Sequence, residues 1–532
     1  MLRRAWKPVL GATAIMVPLS YYLYVSRNKD PTTFSINVKE KGPDGKTYVV
    51  KRSFPLLSKL AVDQRIGESP VSLPTSSQTP SEGLIWKHTT ARLSSNDPTE
   101  DAFAHATIST EATSSDPARS LLFYSVMDGH SGFHTSRLLS HVLIPAVVLE
   151  LSSSAARDGG TSPKASSILD NLKYLFSTRP LSHHADASQE GHVERVSQAI
   201  RKAFDDVDFE IVNGPLRVLA ANVSKLDTTV PDLSKHPMAE ASMSPALSGS
   251  CALMALLDPL RRDLYVACTG DSRAVAGIWE EDDDGTGTWR VEVLTEDQTG
   301  RNANEAERIR SEHPASEAEN VILRGRILGG LEPSRAFGDA RYKWPRELQE
   351  LLYRAFIEST GRAIRPAPAG LKTPPYVIAT PVVTHQKFSL PNPASSEPKP
   401  TSSLKFLVLA TDGLWDELSS EDVVALVGGH FAGLKGTISK SSLPALVPTT
   451  TGSPTVQGKE ETRGNAQQGS WAFVDDNVSA HLIRNAFGGG DEDKLRKILS
   501  IPAPHSRRWR DDVTVTVVWW EEAQENRTKA KL

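Results

Sequence analysis

The chain has 532 residues, enough for two or three domains of ordinary size or one large domain carrying insertions. An apolar fraction of 39% fits an ordinary core diluted by polar loops, and a formal net charge of −4 provides no global field for nucleic acid, so no nucleic-acid partner is expected and partners are read from local features. Only Cys251 and Cys268 occur, which excludes a disulfide framework; both read as reduced core residues. Neither has an arginine at the spacing that a thiol phosphatase's phosphate loop requires, since Arg273 follows Cys268 one position too early.

From the N-terminus, Arg3, Arg4 and Lys7 occur with no acidic residue before Asp30, followed by an apolar run from Val9 to Val25 closed by Arg27 and Lys29. At ~1.5 Å rise per residue that run covers ~26 Å, near the lower limit for crossing a bilayer. Tyr21, Tyr22 and Tyr24 suit the interface, and with Pro18 they replace the small-residue cleavage site of a secretory signal. Residues 1–8 are therefore expected to be a basic mitochondrial targeting segment and 9–25 a transmembrane anchor in the inner membrane. Residues 26–82 are expected to be a linker with one hairpin, 34–38 against 48–52 around Gly42-Pro43-Asp44-Gly45, ahead of a Ser/Thr/Pro-rich stretch from 69 to 82.

A single domain is expected over 83–522. Strand-like apolar runs recur at 121–127, 252–257, 264–267, 291–294, 406–410 and 513–520, and residues 258–263 read as a hairpin turn. The alternation Val513-Thr514-Val515-Thr516-Val517 predicts a strand with one face buried. Leu138, Leu139, Val142, Leu143, Ala146 and Val147 fall at helical spacing, as do Leu482, Ile483, Ala486 and Phe487 before a Gly488-Gly489-Gly490 stop. The result is an α+β architecture of antiparallel sheets with helices outside. Polar stretches at 152–190, 386–403 and 435–470 read as surface insertions, and the acidic run 280–284 as a solvated loop. The tail 523–532 ends in Ala530-Lys531-Leu532, a conservative variant of the Ser-Lys-Leu address, which makes a peroxisomal import receptor a second candidate partner and peroxisomes a second location.

Four motifs place aspartates at the ends of apolar runs: Val126-Met127-Asp128-Gly129-His130, Cys268-Thr269-Gly270-Asp271-Ser272-Arg273, Leu409-Ala410-Thr411-Asp412-Gly413-Leu414-Trp415-Asp416 and Arg510-Asp511-Asp512-Val513. Hard divalent cations such as Mg²⁺ and Mn²⁺ prefer oxygen ligands, and a carboxylate at a strand's end is fixed by the strand while the loop leaves coordination sites open. Asp128, Asp412 and Asp511 fit that placement, and Gly129 allows close backbone approach, so that its carbonyl can be a further ligand. Two metals ~3.5 to 4 Å apart can share an activated water that attacks phosphorus in line, with His130 as general acid for the leaving oxygen. Each motif alone also reads as a turn, with Asp271 and Asp416 as caps and Asp512 as a solvated neighbour. Four in this order are harder to dismiss.

Their order and wording resemble the metal-dependent serine/threonine phosphatases of type 2C, from about Leu93 to Trp520. Ser95-Asn96-Asp97-Pro98-Thr99-Glu100-Asp101 resembles the family's first acidic motif, Asp128-Gly129-His130-Ser131-Gly132 its Asp-Gly-His motif, and Gly249-Ser250 and Ser334-Arg335-Ala336-Phe337-Gly338-Asp339 two further ones. The resemblance implies that Asp128 bridges two metals, that the Gly129 carbonyl binds one of them, and that Asp412 and Asp511 bind the other. It implies that Glu100 and Asp101 hold metal-bound waters and that Asp271 and Asp416, with Asp412, take a weaker third ion. It also implies a central antiparallel β-sandwich flanked by helices, and direct attack by metal-bound hydroxide without a phosphoenzyme.

Within the family, the chain is most similar to the mitochondrial pyruvate dehydrogenase phosphatases, through residues 477–488, 495–502, 337–344 and the final Arg-Asp-Asp-Val-Thr-Val run. The phosphate-binding arginine usual in the family is replaced by Asn96, as in that subfamily, leaving Asn96 as the candidate phosphate contact without charge. Ser334 instead follows the general family. The expected activity is hydrolysis of phosphoserine on a mitochondrial protein, foremost the α subunit of pyruvate dehydrogenase. The alternatives are another mitochondrial or peroxisomal phosphoprotein as substrate, or an inactive scaffold, against which Asp128, Asp412 and Asp511 all stand.

Overall fold

The computed structural model describes residues 32–67, 77–79, 84–110, 119–158, 189–223, 229–283, 286–391, 400–451 and 468–522. The expected targeting segment at 1–8, the anchor at 9–25 and the Ala530-Lys531-Leu532 tail lie outside the described residues.

Two sheets face each other. The first runs, in spatial order, Thr449–Thr451, Gly287–Val293, Arg273–Glu281, Ser402–Ala410, Val513–Glu522, Leu84–Leu93 and Ser77–Thr79. The second runs Val382–Lys387, Asp263–Thr269, Gly249–Asp258, Arg119–His130 and Ala102–Thr110, with the two-residue Phe337–Gly338 pairing onto the start of Gly249–Asp258. All pairings are antiparallel except the edge pair Gly287–Val293 with Thr449–Thr451. Side chains alternate across each strand, so both sheets bury two faces. Leu122, Tyr124 and Val126 meet Leu407, Leu409 and Val518 between the sheets, while Leu121, Phe123 and Met127 pack outward under the helices His134–Asp158 and Gln189–Asn222. On the opposite side, Val513, Val515 and Val517 pack under Ser420–Phe431 and Val478–Phe487. Those helices start where the local chemistry directs: Ser419 and Asp422 form a reciprocal capping box, and the Asn477 side chain accepts from the amides of Ser479 and Ala480.

Several expectations are corrected. The Val513–Glu522 strand is buried on both faces over residues 513–518, because Thr514 and Thr516 turn their hydroxyls inward onto Asp101 and Thr90 instead of onto water. The predicted hairpin forms as Thr33–Lys41 against Thr47–Pro55. The rest of the expected linker is not all linker: Lys59–Gly67 is a helix whose Val62 and Ile66 are buried in the outer core of the first sheet. The stretch 435–470 likewise contributes structure, with Gly436–Ser439 paired to Ser470–Phe473 and with Leu443 and Val447 in the core. In 386–403, Phe388 and Leu390 are buried between the sheets. Sparse apolar residues in a polar stretch gave no periodic signal, yet each fills a specific gap.

Candidate metal centre

Asp128 continues the row Leu122, Tyr124, Val126 at the end of its strand, so the period of two that builds the inter-sheet core also aims this carboxylate into the cleft between the sheets. From the facing sheet, Ala410 pairs with both Arg273 and Val515, bringing the turn that carries Asp271, the segment that begins at Asp412 and the Asp511–Asp512 pair to the same end. Carboxylate oxygens of Asp128, Asp271 and Asp412 all lie within 4.8 Å of one another. The Asp412 amide donates to Asp128 Oδ2 at 3.4 Å, and Cys251 Sγ donates to Asp271 Oδ1 at 3.2 Å. Cys251 and Cys268 are both buried and unbridged.

Asp101 lies beneath this trio, fully enclosed, its Oδ2 accepting from the hydroxyls of Thr411 (2.9 Å) and Thr514 (2.8 Å). Burial, then the neighbouring charges of Asp412, Asp101 and Asp271, push the Asp128 carboxyl well above the ordinary carboxylate range; burial and Asp512 do the same to Asp101. Carboxylates crowded this closely hold protons unless a cation compensates them. An all-oxygen donor set of this kind fits a hard divalent ion such as Mg²⁺ or Mn²⁺.

Around the trio the backbone is tightly packed. A Cβ on Gly129 would fall 2.0 Å from the Glu100 carbonyl oxygen, so the Asp-Gly-His strand end is pressed directly onto the acidic motif. Glu100 Oε1 accepts from the Gly132 amide (2.5 Å) and Oε2 from Asn96 Nδ2 (3.0 Å); burial raises its pKa. His130 bonds through Nε2 to Asp339 Oδ2 at 2.5 Å. Burial disfavours a charged ring, but Asp339, with Asp271 and Glu100, outweighs it, and the His130 pKa ends above its ordinary value. Asp339 is fixed in a left-handed backbone conformation, its amide donating to Ser248 O at 2.9 Å.

Not every expected residue joins the cluster. Asp511 sits beside Gly413, but its Oδ1 pairs with Arg507 and accepts the Asp512 amide, so it stands outside the trio. Asp416 is exposed at the end of the short helix Asp412–Trp415. Asn96 differs from expectation in chemistry: its single NH₂ group donates to Glu100 Oε2 and Asp512 Oδ2, each at 3.0 Å, which leaves no amide hydrogen for a phosphate. Asp512 is no solvated neighbour. It is buried and accepts from the amides of Ser95 and Asn96 on Oδ1 and from Asn96 Nδ2 and the Glu100 amide on Oδ2, clasping the acidic motif against the last strand. Asp339 and Asp512 are the site residues to which the sequence assigned no task; the Arg-Asp-Asp repeat and the Gly-Asp ending of the 334–339 motif were the available signals.

A strand-end carboxylate cluster in the cleft of an antiparallel sandwich, beside a histidine–aspartate pair, is the arrangement of a metal-assisted hydrolase. The protein phosphatase 2C family model matches residues 93–435, and the chain belongs to that family. It is a protein serine/threonine phosphatase, close to the pyruvate dehydrogenase phosphatases. It is 33% identical over 521 residues to a protein phosphatase 2C homolog of Schizosaccharomyces pombe, covering 96% of this chain and 91% of that one. It is also 33% identical to the mitochondrial [pyruvate dehydrogenase [acetyl-transferring]]-phosphatase 1 of Saccharomyces cerevisiae, covering 82% of this chain and 69% of that protein. Human mitochondrial phosphatase 2 of the same name is 32% identical, with 75% and 72% covered.

Proposed function

We propose that the chain is a mitochondrial phosphatase that hydrolyses phosphoserine on the α subunit of pyruvate dehydrogenase, yielding free serine and inorganic phosphate. The observation that carries the choice of substrate is the likeness to the yeast enzyme of that name across four-fifths of this chain. Asp128, the Gly129 carbonyl, Asp412 and Asp511 would hold two Mg²⁺ or Mn²⁺ ions, Asp271 and Asp416 would hold a weaker third, and Glu100 and Asp101 would hold waters around them. Bound ions would supply Lewis acidity and an activated water. His130, with Nε2 fixed by Asp339, has Nδ1 left to protonate the departing serine oxygen, and its raised pKa keeps that proton available near neutral pH. Anchoring through 9–25 and a peroxisomal pool through Ala530-Lys531-Leu532 complete the proposal; imaging of the tagged chain with and without each segment tests both.

The test of function is phosphate release by the full chain from phosphorylated pyruvate dehydrogenase and from an unrelated phosphoprotein, with Mn²⁺, with Mg²⁺ and with chelator. Release is expected to require the metal, to favour the dehydrogenase and to fall by at least about a hundredfold in Asp128→Asn. Equal release from both substrates would remove the assigned substrate and keep the enzyme.

A further inference from the structure

A phosphomonoester arrives as a dianion, and a site lined by carboxylates needs a fixed cation to orient it. Asn96 is not that group, since it is neutral and both of its amide hydrogens are engaged. Arg273, two residues beyond Asp271, is fully buried and held by Asp297 at 2.7 and 3.1 Å and by Ser420. Arg507 remains. It lies on the one-turn helix Ser506–Arg508, and this turn is fixed against the acidic motif: Ser506 Oγ donates to Ser95 O at 2.5 Å, and Arg510 Nη2 donates to Ser94 O at 3.2 Å. Its guanidinium pairs with Asp511, its charge acts on Glu100, and its side chain is 42% exposed. A guanidinium has five donors in a planar fork; Asp511 engages the fork through Nη1, and the partly exposed side chain has further donors to offer.

We propose that Arg507 is the side chain that grips the substrate phosphate, replacing from the C-terminal segment the charge that position 96 lacks. The proposal rests on the phosphatase activity of this site and is independent of which phosphoprotein is the substrate.

The experiment uses the full chain saturated with Mn²⁺, p-nitrophenyl phosphate as substrate and inorganic phosphate as competing product, so that an error over pyruvate dehydrogenase does not affect it. Arg507→Ala is expected to raise both KM and the phosphate inhibition constant by roughly ten- to a hundredfold, the loss of a charge-assisted contact. Arg507→Lys, which keeps the charge without the fork, is expected to recover part of that loss. Calorimetric Mn²⁺ titration of each variant provides a readout separate from turnover. An unchanged phosphate inhibition constant overturns the proposal. So does weakened Mn²⁺ binding with normal phosphate inhibition at saturating Mn²⁺, because Arg507 would then only hold Asp511. If alanine lowers the folded yield, Arg507→Gln is judged by the same two constants.

Discussion

A Cβ on Gly249 would lie 2.1 Å from His130 Nε2 and 2.3 Å from Asp339 Oδ2, so this glycine is the space in which the pair forms. Gly249→Ala is expected to push two side-chain ends apart while leaving the sheet intact. The turnover number should drop about a hundredfold with loss of the alkaline limb of the pH–rate profile, where a required general acid loses its proton, whereas circular dichroism should be unchanged. Asp512→Asn puts an NH₂ group where an oxygen now accepts amides. The unsatisfied donors should cost about 2 kcal/mol or more, read as a lower denaturation midpoint, together with weaker Mn²⁺ binding as Glu100 loosens. At this scale the sequence was legible where a residue's neighbours in the chain reveal its task. Asp128 and Asp412 follow apolar runs and precede glycine. Asp339 and Asp512 were illegible because the groups they hold lie 209 and more than 400 residues away.

The helix Lys59–Gly67 shows the same limit for elements. Its two buried side chains, Val62 and Ile66, are four apart, too short a pattern to stand out beside a Ser/Pro-rich stretch. Tertiary partners fix it: Asp63 pairs with Arg484 at 2.8 Å, Arg65 donates to Leu499 O at 2.9 Å, and Leu57 exchanges hydrogen bonds with Ser500 and Arg496. Ile66→Ala should therefore cost about 2–4 kcal/mol in urea unfolding. A chain starting at residue 83, where composition alone would place the domain boundary, should melt lower than one starting at residue 32. By contrast, the long apolar strands were visible in the sequence because a fully buried strand needs no partner's help to look apolar, while their spatial order was not, since pairing is decided across the sheet.

For the molecule as a whole, two sets of buried groups give stability opposite dependences on pH. Burial, aided by His430 and His105 respectively, lowers His481 to about 3 and His88 to about 4. The unfolded chain then binds protons that the folded chain refuses, and stability falls as pH drops below ~6.5. Asp128 and Asp101 are raised, so the metal-free fold binds protons that the unfolded chain has released and loses stability as pH rises above ~4. Urea midpoints measured against pH should peak at mildly acidic pH in chelator, and Mn²⁺ should lift the neutral side selectively. The strand Val513–Glu522 is the last among the described residues, yet it lies inside the first sheet between Ser402–Ala410 and Leu84–Leu93, and Asp511 and Asp512 immediately precede it. Because synthesis proceeds from the N-terminus, that sheet stays divided and the acidic motif unclasped until residues 511–522 have emerged. A nascent chain, or one truncated before Asp511, thus cannot strip phosphate from whatever it meets before that strand is made: its catalytic competence is timed by translation.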